Sequence, residues 1–152
     1  MTFEEILARD GTLVYRTKGV SMEPMLREGR DLVTVRVPDG RLKRFDVALY
    51  RRGEQYVLHR VIRVKADHYR IRGDNTYSME TVPDGAVIGV LTGFLRKGRQ
   101  RFASDRGYRL YVRVWNALYP LRWCWHHGRR LLIRLLRKLG LLPILLRLLR
   151  RS

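Results

Sequence analysis

Hydrophobic and polar positions change period along the 152 residues. Residues 2–9 predict a helix of one or two turns, with Thr2 as its cap and Glu5 three positions on. After Gly11 the pattern becomes short β-rich runs separated by turn residues. Leu13–Thr17, Leu32–Val37, Asp46–Tyr50, Tyr56–Lys65, His68–Arg72 and Ala86–Phe94 read as strands. Pro38-Asp39-Gly40 and Pro83-Asp84-Gly85 are turn signals, because proline fixes φ and a residue tolerant of positive φ follows. Residues 51–55, RRGEQ, read as a hairpin tip. This strand density predicts a mainly β domain over 1–95.

From Tyr108 the period shifts toward helix. In RRLLIRLLRKL, Arg130, Arg134, Arg137 and Lys138 fall on one face, while Leu131, Leu132, Leu135, Leu136 and Leu139 cover the rest. Gly140 and Pro143 interrupt the scheme, and ILLRLLRRS repeats it. Residues 96–152 are thus expected to form a basic, aromatic- and leucine-rich amphipathic helical tail.

Charge sharpens that division. Residues 1–95 hold 16 Lys and Arg against 13 Asp and Glu, whereas residues 96–152 hold 16 against the single acid Asp105. The basicity of the chain therefore belongs to the tail. One cysteine, Cys124, leaves no intrachain disulfide for the fold to depend on. The first fifteen residues read as neither a secretory signal nor a membrane anchor. No run of about 18 apolar residues predicts a spanning helix.

The candidate chemistry lies in TKGVSMEPMLREGRDLV, residues 17–33. Taken singly, Ser21 reads as a turn serine, His59 as a satisfied strand histidine, and RGDN at 72–75 as an Asx-type turn. A serine becomes a nucleophile only with a base in reach and a donor for the oxyanion. His59, alternating with Val57 and Val61 in QYVLHRVIRV, is held as a base needs to be. His68 lies beside a turn, and His126 and His127 lie in the tail. CWHH at 124–127 has no partner ligands at metal-site spacing.

GVSMEPML, HRVIRV, RGDNTYSMET and VIGVL occur in that order. The ordered set resembles the type I signal peptidase family, which is related to the self-cleaving repressors, over about residues 12–95. LHRVI resembles the branch whose base is histidine, found in the endoplasmic reticulum and in SipW-like enzymes. The resemblance implies a signal-peptidase/LexA-type β-fold, no cofactor, no metal, and a peptide or preprotein substrate bound as an extended strand. It implies Ser21 as nucleophile and His59 as general base. An acid six residues after the aspartate of the G-D-N box would orient the histidine, which is Glu80, and Asp74 of the box itself competes for the role. The oxyanion would be held around Gly19, Ser21 and Met22, chiefly by the Ser21 N–H. Some relatives carry a hydroxyl where this chain has Gly19. The family's Gly-Asp pair reads Gly29-Arg30-Asp31 here, with one residue inserted.

The expected activity is serine endopeptidase cleavage of leader, signal or precursor peptides at the membrane surface. The resemblance places the protein at the bacterial cytoplasmic membrane, on a side the sequence does not specify. Leucines opposite arginines, with Trp115, Trp123 and Trp125 at the entry, favour a membrane surface over nucleic acid as the partner of the tail. Two alternatives are a catalytically silent binding module on the same fold and a self-cleaving repressor. For the repressor, only 20 residues precede Ser21, and no Ala-Gly dipeptide offers the bond such proteins cut.

Overall fold

A computed structural model of the protein describes residues 1–138. The readings placed on Leu139, Gly140, Pro143 and ILLRLLRRS lie outside the described residues. The chain divides into two compact units, Met1–Arg113 and a second beginning at Val114. The first unit runs beyond the boundary expected at residue 95.

The first unit is mainly antiparallel β-sheet. It opens with helix α1 (Phe3–Asp10), where Thr2 and Glu5 form the reciprocal capping box and Gly11 ends the helix in the left-handed region. Strands β1 (Thr12–Arg16), β2 (Leu32–Arg36), β3 (Val47–Arg52), β4 (Gln55–Val64), β5 (His68–Arg72), β6 (Glu80–Pro83) and β7 (Val87–Arg96) form one sheet in the order β1-β2-β7-β3-β4-β5-β6. An eighth, β8 (Arg99–Phe102), pairs with the second half of β7. All pairings are antiparallel. Strands β6 and β8 were not expected from the sequence, and Pro83-Asp84-Gly85 ends β6 and enters a short 3-10 turn at Asp84–Ala86.

Five consecutive residues of β4, Val57–Val61, are buried, so both faces of this strand are covered. Side chains alternate across a strand. Val47, Leu49 and Leu58 therefore join one apolar cluster, with Val33, Val35, Leu91 and Phe94. Ala48, Tyr50, Val57 and Val61 join the other, with Tyr69, Ile71 and Val82. This alternation sends His59 and Arg60, neighbours on β4, to opposite faces.

The chain from Thr17 to Asp31 is anchored in the first cluster by Met22, Met25 and Leu26, all buried. Its ends are tied together. Gly29 N–H donates to Thr17 O at 3.2 Å, and Thr17 N–H donates to Asp31 O at 3.4 Å. Asp31 is fully buried and takes the Arg27 N–H at 2.9 Å and the Arg30 guanidinium on both oxygens. Gly29 takes φ 68° in this closure, a conformation that glycine adopts without steric cost.

Helix α2 (Arg106–Ala117) begins in the first unit, and α3 (Tyr119–Lys138) lies in the second. Within the second unit, Leu118 N–H donates to Val114 O and Arg122 N–H to Leu118 O, so helical bonding bridges the break at Leu118 between α2 and α3. Val114, Leu118, Leu121, Trp125, Leu132 and Leu135, spaced at threes and fours with Gly128 between, are exposed along this unit. None of the α3 residues is buried.

Candidate active site

His59 is held by pairing of β4 with β3, where it faces Ala48. Tyr50, two residues along β3, therefore lies on the same face. On the other side Val61 faces Ile71 of β5, and Ile71 faces Glu80 at the start of β6. Strand parity thus gathers Tyr50, His59 and Glu80 on one face although 30 positions separate Tyr50 from Glu80.

The contacts follow. Glu80 Oε1 lies 3.2 Å from His59 Nδ1. Tyr50 Oη lies 3.3 Å from the same nitrogen and donates its proton to Glu80 Oε2 at 2.9 Å. Both neighbours of Nδ1 are then acceptors, a carboxylate and a hydroxyl whose hydrogen is committed. Nδ1 must carry the proton of the neutral ring, which leaves the lone pair on Nε2. Arg52 holds Glu80 Oε2 from the far side at 3.1 Å.

Nε2 faces Ser21. A Cβ placed on Gly73 would sit 3.1 Å from His59 Nε2, 3.1 Å from Ser21 Cβ and 2.6 Å from Ser21 O. The serine Cβ and the imidazole nitrogen are therefore no further apart than twice 3.1 Å, with Gly73 beneath both. Glycine is required here for space: any side chain would push the serine turn away. The next residues clip the two loops together, with Asn75 N–H donating to Ser21 O at 2.8 Å and Asn75 Nδ2 to Val20 O at 3.2 Å. No hydrogen bond joins Ser21 Oγ to His59 Nε2 in this geometry, an arrangement that often tightens only with substrate bound. The Ser21 N–H donates no hydrogen bond among the described residues.

Of the other expected site residues, Gly19 lies in the preceding bend at φ 80°. The side chain of Met22 is buried in the core, so only its backbone borders the turn. Asp74 is not placed on His59. It binds Arg60 through two bonds of 2.7 Å, Nε to Oδ1 and Nη2 to Oδ2. The sequence left Asp74 and Glu80 level, and the geometry gives Nδ1 to Glu80. His68 pairs with its neighbour Asp67 at 2.7 Å. His127 stacks on Trp123 within α3, and Cys124 is exposed. Among the described residues, no group of three or more His, Cys, Asp or Glu side chains is placed to hold a metal ion.

Tyr50 and Arg60 were missed in the sequence. A tyrosine two positions from the residue facing His59 is visible only once the β3–β4 register is known. Arg60 stands next to the candidate base, and an arginine amid a buried run was itself a signal.

Burial pushes the His59 pKa below its ordinary value of 6.5, against the Glu80 carboxylate, which raises it. Arg52 adds to the lowering. Burial, then the Glu80 carboxylate, pushes Tyr50 well above the ordinary phenol range, so it remains a donor. For Arg60, burial favours loss of charge, but Asp74 outweighs it and holds the guanidinium charged.

No protein-family model matches the sequence, and no curated protein matches it.

Two outcomes follow from this arrangement. Asp74→Ala leaves the guanidinium of Arg60 buried without its counter-charge and is expected to cost about 3–5 kcal/mol in urea unfolding. Glu80→Ala, at a partly exposed carboxylate, is expected to cost less than about 1 kcal/mol. Equal losses in the two variants would contradict this division. Second, the His59 ring resonance should titrate with a midpoint below 6.5, and Glu80→Gln should move it lower still. The unfolded chain binds more protons than the folded one between that midpoint and 6.5, so His59 adds stability that rises with pH through this window and is lost below it. A midpoint at or above 6.5 in the native protein contradicts the assignment.

Proposed function

We propose that this protein is a serine endopeptidase of the signal-peptidase type, with a signal-peptidase/LexA-type β-fold, acting on leader or precursor peptides at a membrane surface. The observation that carries the reading is that Ser21 Cβ and His59 Nε2 each lie 3.1 Å from one point, the place a Cβ on Gly73 would take, with Glu80 on the opposite ring nitrogen. The ordered motifs GVSMEPML, HRVIRV and RGDN support it independently.

In this reading Ser21 Oγ attacks the scissile carbonyl carbon as its proton passes to His59 Nε2. The Glu80 carboxylate stabilises the imidazolium that forms. The Ser21 N–H donates to the oxyanion. His59 then returns the proton to the leaving amine as the C–N bond breaks. Water, activated by the same nitrogen, releases the acyl group and restores Ser21.

The second unit supplies the membrane contact. Its exposed stripe from Val114 to Leu135 is apolar, Arg130, Arg134, Arg137 and Lys138 lie away from it, and the chain from Arg106 to Lys138 contains no acid. Arg122 folds over Trp115, 3.7 Å from the ring centroid, which shields its charge at the edge of the stripe. This pattern suits an interfacial helix on anionic lipid.

Ser21→Ala should lower cleavage of a signal-peptide-bearing precursor by roughly four orders of magnitude or more while the circular dichroism of the protein stays native; undiminished cleavage overturns the proposal. For the tail, the protein should sediment with phosphatidylglycerol vesicles, less so as salt rises. Replacing Leu121 and Leu132 with Glu should weaken this by about a hundredfold or more. Retention of full binding by that variant would place the membrane contact elsewhere.

A further inference from the structure

Asn75 makes a contact that the proposed mechanism leaves without a task. Its side-chain amide nitrogen reaches out of its own turn and donates to Val20 O at 3.2 Å, 55 positions away. The residues before it make that reach possible. Gly73 leaves the space in which the two loops approach, since a Cβ there would sit 2.6 Å from Ser21 O. Asp74 is bolted to the buried Arg60 by two bonds of 2.7 Å. Thr76 closes the turn, with its N–H and its hydroxyl both donating to Gly73 O at 3.2 Å. Asn75 is therefore carried to the serine loop on a fixed base.

The Ser21 N–H, which is the oxyanion donor in the peptidase reading, belongs to the Val20–Ser21 peptide. That unit is planar, so its C=O and N–H point in opposite directions within one plane. Whatever holds Val20 O therefore aims the Ser21 N–H. Val20 O is held twice, by Glu23 N–H at 3.1 Å from its own loop and by Asn75 Nδ2 from the other. Two donors on the carbonyl also polarise the N–H at the far end of the same amide. Asn75 N–H takes the following peptide, donating to Ser21 O at 2.8 Å. One residue thus grips the peptides on both sides of the Ser21 Cα.

We propose that Asn75 is a positioning residue of the candidate active site, whose side-chain amide aims and polarises the Ser21 N–H for the oxyanion. The proposal rests on the peptidase reading of Ser21 and His59. A simple clip between loops does not need this side chain, because the shorter backbone bond to Ser21 O already joins them. Asn75 is exposed, and an exposed neutral hydrogen bond adds little to stability. The chemistry of the position selects a donor. A carbonyl oxygen only accepts, so the amide must present its nitrogen to Val20 O. Aspartate has the same shape, but it would set a carboxylate oxygen against that carbonyl and place negative charge beside the oxyanion.

The test compares the wild-type protein with Ser21→Ala, Asn75→Ala and Asn75→Asp, using cleavage of a signal-peptide-bearing precursor and nuclear magnetic resonance of the full chain. Asn75→Ala should lower kcat about tenfold with KM nearly unchanged, less than the loss of a donor outright, because the Ser21 N–H remains. Asn75→Asp should be at least as impaired. The melting temperature of both should stay within a few degrees of the wild type. In Asn75→Ala the carbonyl carbon resonance of Val20 and the amide nitrogen resonance of Ser21 should both move upfield. The amide nitrogen of Met22 should not move, because Ser21 O keeps its backbone bond. If Ser21→Ala is inactive but either Asn75 variant cleaves at the wild-type rate, this proposal fails and the peptidase reading stands. A rate loss carried by KM, unmoved Val20 and Ser21 resonances, or a collapse of the melting temperature would also overturn it. Cleavage that is absent from the wild-type protein, or that Ser21→Ala does not diminish, overturns the peptidase reading and this proposal with it.

Discussion

The structure depends on the burial of one guanidinium. Arg60 has no exposed surface, and a charge in that position is tolerated only when it is paired and fully hydrogen-bonded. It is satisfied at all five N–H groups: two go to Asp74, two to Phe45 O and Tyr108 Oη, and one toward Met25 Sδ. Each acceptor belongs to a different segment. The strand that carries His59, the turn before β3, the serine loop, the G-D-N loop and the start of α2 are thus fixed to a single group. Moving any of them strips a bond from a desolvated charge, at a cost several times that of an exposed contact.

That constraint explains how two carboxylates near one histidine take different work. Adjacent residues of a strand point to opposite faces, so β4 presents His59 to one side and Arg60 to the other. Asp74 meets the permanent charge in the interior, where both partners are essentially inaccessible. Glu80 meets the titratable ring at the margin, with 24% of its side chain exposed and Arg52 beside it. The interior pair has little freedom to respond to a change of charge. The marginal carboxylate can be repolarised by solvent and by Arg52 as the imidazole gains or loses a proton, which is what the proposed peptidase reading asks of it.

Much of the fold was legible from residue pattern alone. Thr2 and Glu5 capped the helix expected at 2–9, and the six expected runs are all strands, His68–Arg72 with the expected ends and the other five shifted by one or two residues at an end. The two missed strands lacked the signal that betrays a strand. Arg99–Phe102 is exposed throughout and has no apolar alternation, and Glu80–Pro83 is four residues long and ends in proline. Their pairing comes from the neighbour, not from their own sequence. The choice between Asp74 and Glu80 was hidden for a related reason. It depends on which face each residue occupies, and that follows only from the pairing of Val61 with Ile71 and of Ile71 with Glu80, long-range registers that no spacing rule in the sequence announces.

The same framework limits how Ser21 can approach His59. The serine loop is tied at its ends through Thr17, Gly29 and Asp31, clipped to Asn75, and sunk through Met22, Met25 and Leu26. Lifting the loop would expose those three side chains at about 1.5–3 kcal/mol each. Turning the Ser21 side chain between staggered positions disturbs none of these ties, and even a strained intermediate costs about 0.5–1.5 kcal/mol. Rotation of the side chain is thus the motion that the fold leaves free at Ser21, and the proposed peptidase reading requires it to carry the hydroxyl to Nε2 over a stationary backbone.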